Sequence, residues 1–239
     1  MTDPRMNDGM ANDRMVNDGM ADDLMMNNRM AREALRYLGY GTQEADEDTL
    51  GMIRECFAQL KRTAKKRIVY RVFDLHLGED GNIEIGNMRI ESRSLSKNLK
   101  GCEKVILLGA TLGVETDLLM KRYSCTDMAK AVVLQACGAA FLEEYLDGSQ
   151  QEIAREMAEE GYYLRPRFSP GYGDFSILHQ REILAMADTA RRIGLTMTEG
   201  SMLTPTKSVT ALIGLSRKQE DCHIKGCEAC QKTDCAYRR

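Results

Sequence analysis

Hydrophobic positions change their spacing several times along the chain, and each spacing predicts a different element. Apolar residues three and four positions apart predict an amphipathic helix over 48–66. A β-rich stretch follows, with a strand over 68–75 and turn residues at 80–81 and 86–87 that favour a hairpin. The continuous apolar run at 105–108 is typical of a strand buried on both faces.

The second half of the chain predicts two helices and a last strand. The longest helix is expected over 126–148, with Thr126 as its N-cap and Gly148 just past its end. Another is expected over 176–193, before a final buried strand over 208–215. Helices and strands alternate without a regular strand–helix–strand rhythm. We therefore expect a mixed α/β (α+β) fold, a single domain with at least one antiparallel hairpin.

Both ends of the chain differ from the middle, which sets domain boundaries at 1–28, 29–216 and 217–239. The sequence Asn-Asp-Gly-Met-Ala occurs at 7–11 and again at 17–21. Such polar, turn-rich sequence buries too little to offset its ordering entropy, so a disordered low-complexity tail is expected over 1–28. A methionine-rich copper tract is the alternative, although this tail contains no histidine.

The C-terminal segment carries a cysteine pattern. Four thiols fall within fourteen residues, with a central Cys-x2-Cys, at Cys222, Cys227, Cys230 and Cys235. This spacing suits a tetrahedral four-sulfur site for zinc or an iron–sulfur cluster, and a reduced, metal-free tail is the alternative.

Composition narrows the classes of function. The chain of 239 residues has a net charge of −3, which argues against a nucleic-acid or membrane-surface role. No apolar run approaches a membrane span, and the N-terminus lacks the apolar core of a signal peptide. We therefore expect a cytoplasmic protein whose cysteines are thiols or metal ligands.

Two polar segments are candidates for binding. The first is Arg-Phe-Ser-Pro-Gly-Tyr-Gly-Asp at 167–174, where Pro170 and Gly171 allow a sharp turn. Arg167 offers a planar fork for a carboxylate, and Tyr172 offers a ring face and a hydroxyl. The second segment, 195–208, is dense in hydroxyl groups and holds Glu199.

Together these segments resemble the activation domain of cobalamin-dependent methionine synthase, most closely its free-standing versions. The matching stretches are R-F-S-P-G-Y-G-D, then L-T-M-T-E-G-S-M-L-T-P-T-K-S-V-T-A-L-I-G, with A-L-R-Y-L-G-Y-G, V-I-L-L-G-A-T-L-G and T-D-M-A-K-A before them. The resemblance covers about 29–216. It implies a twisted, largely antiparallel sheet with flanking helices and a shallow site for S-adenosylmethionine.

The resemblance also implies roles for individual residues. Arg167 would hold the carboxylate of S-adenosylmethionine, and Ser169 and Gly171 would offer backbone groups. Tyr172 would lie near the sulfonium methyl group, as the candidate catalytic residue. The backbone at Ile213 is a candidate contact for the adenine, and Glu199 is counted with the ligand-binding residues.

The sequence departs from the family pattern at two places. The long multidomain enzymes have R-P-A-P-G-Y where this chain has R-F-S-P-G-Y, and a second arginine, Arg165, stands just upstream and remains an alternative to Arg167. The acidic residue that the family has on its long helix appears here as Ala139. Four carboxylates are candidate substitutes: Glu143, Glu144, Glu160 and Glu199.

The implied function is reactivation, the reductive methylation of cob(II)alamin on a methionine synthase that acts as a separate protein. The cobalamin would be held by that methionine synthase or another corrinoid protein, and a donor such as flavodoxin or ferredoxin would supply the electron. One alternative is an iron–sulfur reductive activator of another corrinoid methyltransferase. The other is a non-catalytic docking module for a corrinoid protein.

Overall fold

The computed structural model describes residues 20–41 and 43–219. Its backbone contacts divide the chain into two compact units, each built from separated stretches of sequence. Within the described residues, the first unit comprises 67–111 and 149–219, and the second comprises 20–66 and 112–148. The cysteines predicted to bind metal lie outside the described residues. Helix α1 begins at Met20, inside the segment predicted as a tail, and the domain boundaries stay a prediction.

The first unit is built on a six-stranded antiparallel sheet with the order β3-β2-β1-β4-β8-β5. A separate two-stranded sheet pairs β6 with β7. The strands are β1 (Arg67–Leu77), β2 (Asn82–Ile85), β3 (Met88–Glu91), β4 (Lys104–Thr111), β5 (Tyr163–Leu164), β6 (Thr196–Met197), β7 (Leu203–Thr204) and β8 (Ser208–Ser216).

The two central strands hold the core of this unit. Strand β4 pairs with β8 along its whole length, and both are buried over most of their residues. Three helices belong to this unit: α3 (Arg93–Asn98), α6 (Gln180–Ala187) and α7 (Thr189–Ile193). Fully buried Phe175 and Ile183 pack with Leu212 of β8 in one apolar cluster, so the segment around 175 is fixed to the sheet.

The second unit is helical. It contains α1 (Met20–Tyr37), α2 (Glu47–Thr63), α4 (Val114–Thr126) and the first part of α5 (Met128–Glu159). Helix α2 begins where the Asp46 carboxylate accepts a hydrogen bond from the amide of Thr49 at 2.7 Å, an N-cap. Its inner face buries Ile53, Phe57 and Leu60, three positions of the predicted apolar stripe.

The mixed α/β class and the antiparallel sheet are confirmed, while three predicted helix boundaries are wrong. Thr126 is the last residue of α4 and not the N-cap of α5, which begins at Met128. Helix α5 runs to Glu159, since Gly148 keeps a negative φ within the helix and does not adopt the left-handed conformation typical of a helix end. The helix predicted over 176–193 is broken into α6 and α7, since Asp188 adopts a left-handed conformation at φ 54°. None of the helices in the described residues is long and apolar enough to cross a membrane.

Candidate functional site

The segment 165–175 follows the edge of β8 and then turns away from it. Phe168 and Leu212 exchange both backbone hydrogen bonds, with N···O distances of 2.9 and 2.8 Å. The amide of Arg165 also donates to the carbonyl of Gly214 at 2.8 Å. Residues 165–168 therefore extend the sheet, and the turn beyond Phe168 is presented from a rigid edge.

The two arginines of this segment have different surroundings. Arg165 is only 5% exposed, and its guanidinium donates to the carbonyl of Lys100 at 3.1 Å. Arg167 is half-buried, and its Nη1 donates to Oε1 of Gln150 on α5 at 2.8 Å. The bond to Gln150 orients the guanidinium of Arg167. Arg165 sits in a structural position, and Arg167 lies nearer the surface.

The turn at 169–175 is stabilised by its own backbone. The amide of Tyr172 donates to the carbonyl of Ser169 at 3.2 Å, and the amide of Gly171 donates to the carbonyl of Phe175 at 2.8 Å. Gly171 has φ +93°, a conformation that other residues rarely adopt. The amide of Gly171 is thus already bonded within the turn.

Tyr172 stands at the tip of this turn with 67% of its surface exposed. Its ring meets the edge of Phe168, with the centroids 6.3 Å apart and the planes inclined by 60°. The ring is therefore held on one side and open on the other. An exposed aromatic face attracts cationic groups, including a sulfonium.

The structure brings Arg167, Ser169, Gly171 and Tyr172 together in one turn, and it places Ile213 and Glu199 elsewhere in the unit. Ile213 is fully buried in β8. Because Leu212 and Gly214 direct their backbone groups toward 165–168, the alternation of an antiparallel strand turns those of Ile213 toward β4. An adenine contact at Ile213 stays a prediction.

Glu199 lies in the exposed turn between β6 and β7. It lines a groove of about 310 Å³ with residues of α6 and α7. The floor of this groove is apolar, formed by Leu184, Leu195 and Met197, and Arg181 and Asp188 stand on its rim. The pocket shares no residue with the turn at 169–175, so a role for Glu199 at the same ligand also stays a prediction.

The other candidate carboxylates belong to different elements. Glu143 and Glu144 belong to the second unit and line a small pocket of about 140 Å³. There Glu144 forms an ion pair with Arg29 at 3.2 Å. Glu160 follows the last residue of α5, and its carbonyl accepts a hydrogen bond from Arg217 at 2.6 Å. Among the described residues, no cluster of side chains suits a metal ion.

Two residues that sequence reasoning missed hold the candidate segments to the rest of the first unit. Gln180, 5% exposed, donates to the carbonyl of Ser201 at 2.8 Å and accepts from the hydroxyl of Thr210 at 3.4 Å. It therefore ties the 195–208 segment to α6 and β8. Asp174 closes the turn at 169–175 by bonding to α3. Its place at the end of the R-F-S-P-G-Y-G-D motif was the only signal in the sequence.

Comparison with known proteins establishes the fold. The sequence matches no protein-family profile and no curated protein. A solved structure of the MetH reactivation domain bound to AdoHcy is similar, with a TM-score of 0.58 and 14% identity. The match covers 81% of this chain and 76% of that one. The chain thus shares the fold of a MetH reactivation domain.

Proposed function

We propose that this protein binds S-adenosylmethionine and supports reactivation of a cobalamin-dependent methionine synthase in trans, as a free-standing activation domain. In that reaction one electron from a donor protein and the methyl group of S-adenosylmethionine convert cob(II)alamin to methylcobalamin and leave S-adenosylhomocysteine. The observation that supports the proposal is the turn at 169–175, with Arg167 at its base and Tyr172 at its tip. It lies on the fold of a domain whose solved structure holds AdoHcy.

The residues of the turn suit the parts of this ligand. The Arg167 fork would bind the amino-acid carboxylate, and Gln150 would keep the guanidinium in plane. The open face of Tyr172 would meet the sulfonium, which carries the methyl group to be transferred. The contribution of the chain would then be proximity and orientation of the methyl donor toward a corrinoid held by the partner.

Calorimetric titration tests the proposal directly. S-adenosylmethionine and S-adenosylhomocysteine are titrated separately into anaerobically purified full-length protein, with adenosine as the control ligand. We expect saturable binding of the first two and much weaker binding of adenosine, which lacks the carboxylate. If neither S-adenosylmethionine nor S-adenosylhomocysteine binds, the proposed function is contradicted and a docking module for a corrinoid protein is favoured.

The C-terminal cysteines form a second part of the proposal. We propose that Cys222, Cys227, Cys230 and Cys235 hold one zinc ion or one iron–sulfur cluster, because four thiolates at this spacing suit both. Metal analysis and absorption spectra of the anaerobic protein are expected to show one centre per chain. The double variant Cys227→Ser/Cys230→Ser should lose it, whereas Cys125→Ser, an exposed cysteine of α4, should keep it. If the wild-type protein contains no metal, the alternative holds, and the C-terminal segment is a reduced tail without a metal site.

A further inference from the structure

Asp174 makes an unusually complete set of hydrogen bonds for a carboxylate on an exposed turn. Its Oδ1 accepts from the hydroxyl of Ser92 at 2.6 Å and from the amide of Ser94 at 3.0 Å, and its Oδ2 accepts from the amide of Arg93 at 2.8 Å. These bonds, that from Ser92 foremost, hold the pKa of the Asp174 carboxyl well below its ordinary value. Both oxygens are therefore committed to the first turn of α3.

The hydroxyl of Ser92 is both a donor and an acceptor in this contact. It is 1% exposed, and its hydroxyl accepts from the amide of Leu95 at 3.1 Å as the N-cap of α3. A hydroxyl has a single proton, and here that proton goes to Asp174. The capping residue and the carboxylate thus form one connected network that joins α3 to the turn.

The residues on either side of Asp174 hold the backbone of the turn in one conformation. Gly173 has φ +55°, and a Cβ there would lie 2.8 Å from Oγ of Ser94, closer than side-chain atoms approach. Phe175, on the other side, is 1% exposed and packs against Phe168. The turn is therefore clamped at its far end by 173–175 and at its near end by the Phe168–Leu212 pair. The short arch between the clamps carries Gly171 and Tyr172, both of them exposed.

We propose that Asp174 is a positioning residue of the ligand site: through α3 it fixes the arch that carries Gly171 and Tyr172 before the ligand arrives. This inference rests on the proposed function. In this role Asp174 acts through the bonds that its oxygens accept from α3 and not through a contact with the ligand. It lowers the entropy cost of binding, because the arch is already ordered before the ligand arrives.

The test is Asp174→Asn in the full-length protein, with S-adenosylhomocysteine affinity and amide hydrogen exchange as readouts. The asparagine keeps the shape but sets an NH2 group against an amide donor, so the arch should loosen. We expect affinity about tenfold lower, the equivalent of one hydrogen bond to a charged group. Faster exchange is expected at 169–175, which a purely global loss of stability would not confine to that segment.

A matched control comes from the second unit. Asp46 also caps a helix by accepting an amide hydrogen bond, from Thr49. Asp46→Asn should leave both the affinity and the exchange at the start of α2 nearly unchanged, because asparagine caps a helix about as well as aspartate. Ser92→Ala provides a second route to the same contact, and it serves if Asp174→Asn does not fold. The double variant should lose no more affinity than the more affected of the two single variants.

The outcomes separate this inference from the proposed function. If the wild-type protein binds the ligand and Asp174→Asn binds it equally well, the positioning role is overturned and the function stands. Lower affinity without faster exchange at 169–175 would also overturn it. If the wild-type protein binds neither S-adenosylmethionine nor S-adenosylhomocysteine, both proposals fail.

Discussion

Replacing Arg167 by alanine is expected to weaken S-adenosylmethionine binding by about 1.5–3 kcal/mol, roughly 10- to 150-fold. The guanidinium would lose a charge-assisted pair of bonds to the ligand carboxylate, and a half-buried position makes such bonds stronger than at a fully exposed one. Calorimetric titration of the variant against the wild-type protein measures the effect.

Three further variants test whether Arg167 itself makes the contact with the carboxylate. Arg167→Lys keeps the charge and loses the fork, so it should recover only part of the affinity. Arg191→Ala removes an exposed arginine that pairs with Asp188 at 2.7 Å, and it should bind normally. Arg165→Ala should lower the stability of the fold, since it deprives the Lys100 carbonyl of a donor. Normal binding by Arg167→Ala together with lost binding by folded Arg165→Ala would move the carboxylate contact to Arg165.

Replacing Phe175 by alanine is expected to cost about 3–5 kcal/mol in the free energy of unfolding. Its ring is fully buried, stacks on His179 at a centroid distance of 5.7 Å and packs with the core of the first unit. Removing it leaves a cavity under the turn at 169–175, so ligand affinity should fall as well. Urea unfolding followed by circular dichroism measures the stability change.

Tyr172 supplies the matched control for Phe175, because the two aromatic residues lie three positions apart in one turn. With its ring largely exposed, Tyr172→Ala should change the free energy of unfolding by no more than about 0.5 kcal/mol while weakening ligand binding. Equal stability losses in the two variants would contradict this division between a structural and a ligand-facing aromatic residue.

Much of the fold could be predicted because the signals are local. The helix expected over 48–66 is α2 (Glu47–Thr63), and the strands expected over 68–75 and 208–215 are β1 and β8. Each carries its burial pattern in its own spacing of apolar residues, which depends on the period of a helix or strand alone. The boundaries at Gly148 and Asp188 were missed, because the spacing of apolar residues does not show which backbone conformation each of these residues adopts.

The candidate site was only partly accessible from the sequence. The motif at 167–174 places Arg167, Gly171 and Tyr172 in one turn, because residues this near in sequence stay near in space. The sequence does not show that Ser92 and Asp174, 82 positions apart, share a hydrogen bond. Nor does the sequence show that Arg165 is buried whereas Arg167 is only half-buried.

The sequence by itself determined the class of fold, the main strands and helices, and the one turn that holds the ligand candidates. These features follow from the periodicity of apolar residues and from the chemistry of a short motif, both of which are read along the chain. Only the tertiary structure decided how α3 clamps that turn and which groups of Arg167 and Gly171 are already bonded. It also placed Glu199 on a separate groove. Such facts depend on contacts between segments that are distant in sequence, such as the hydrogen bond from Ser92 to Asp174.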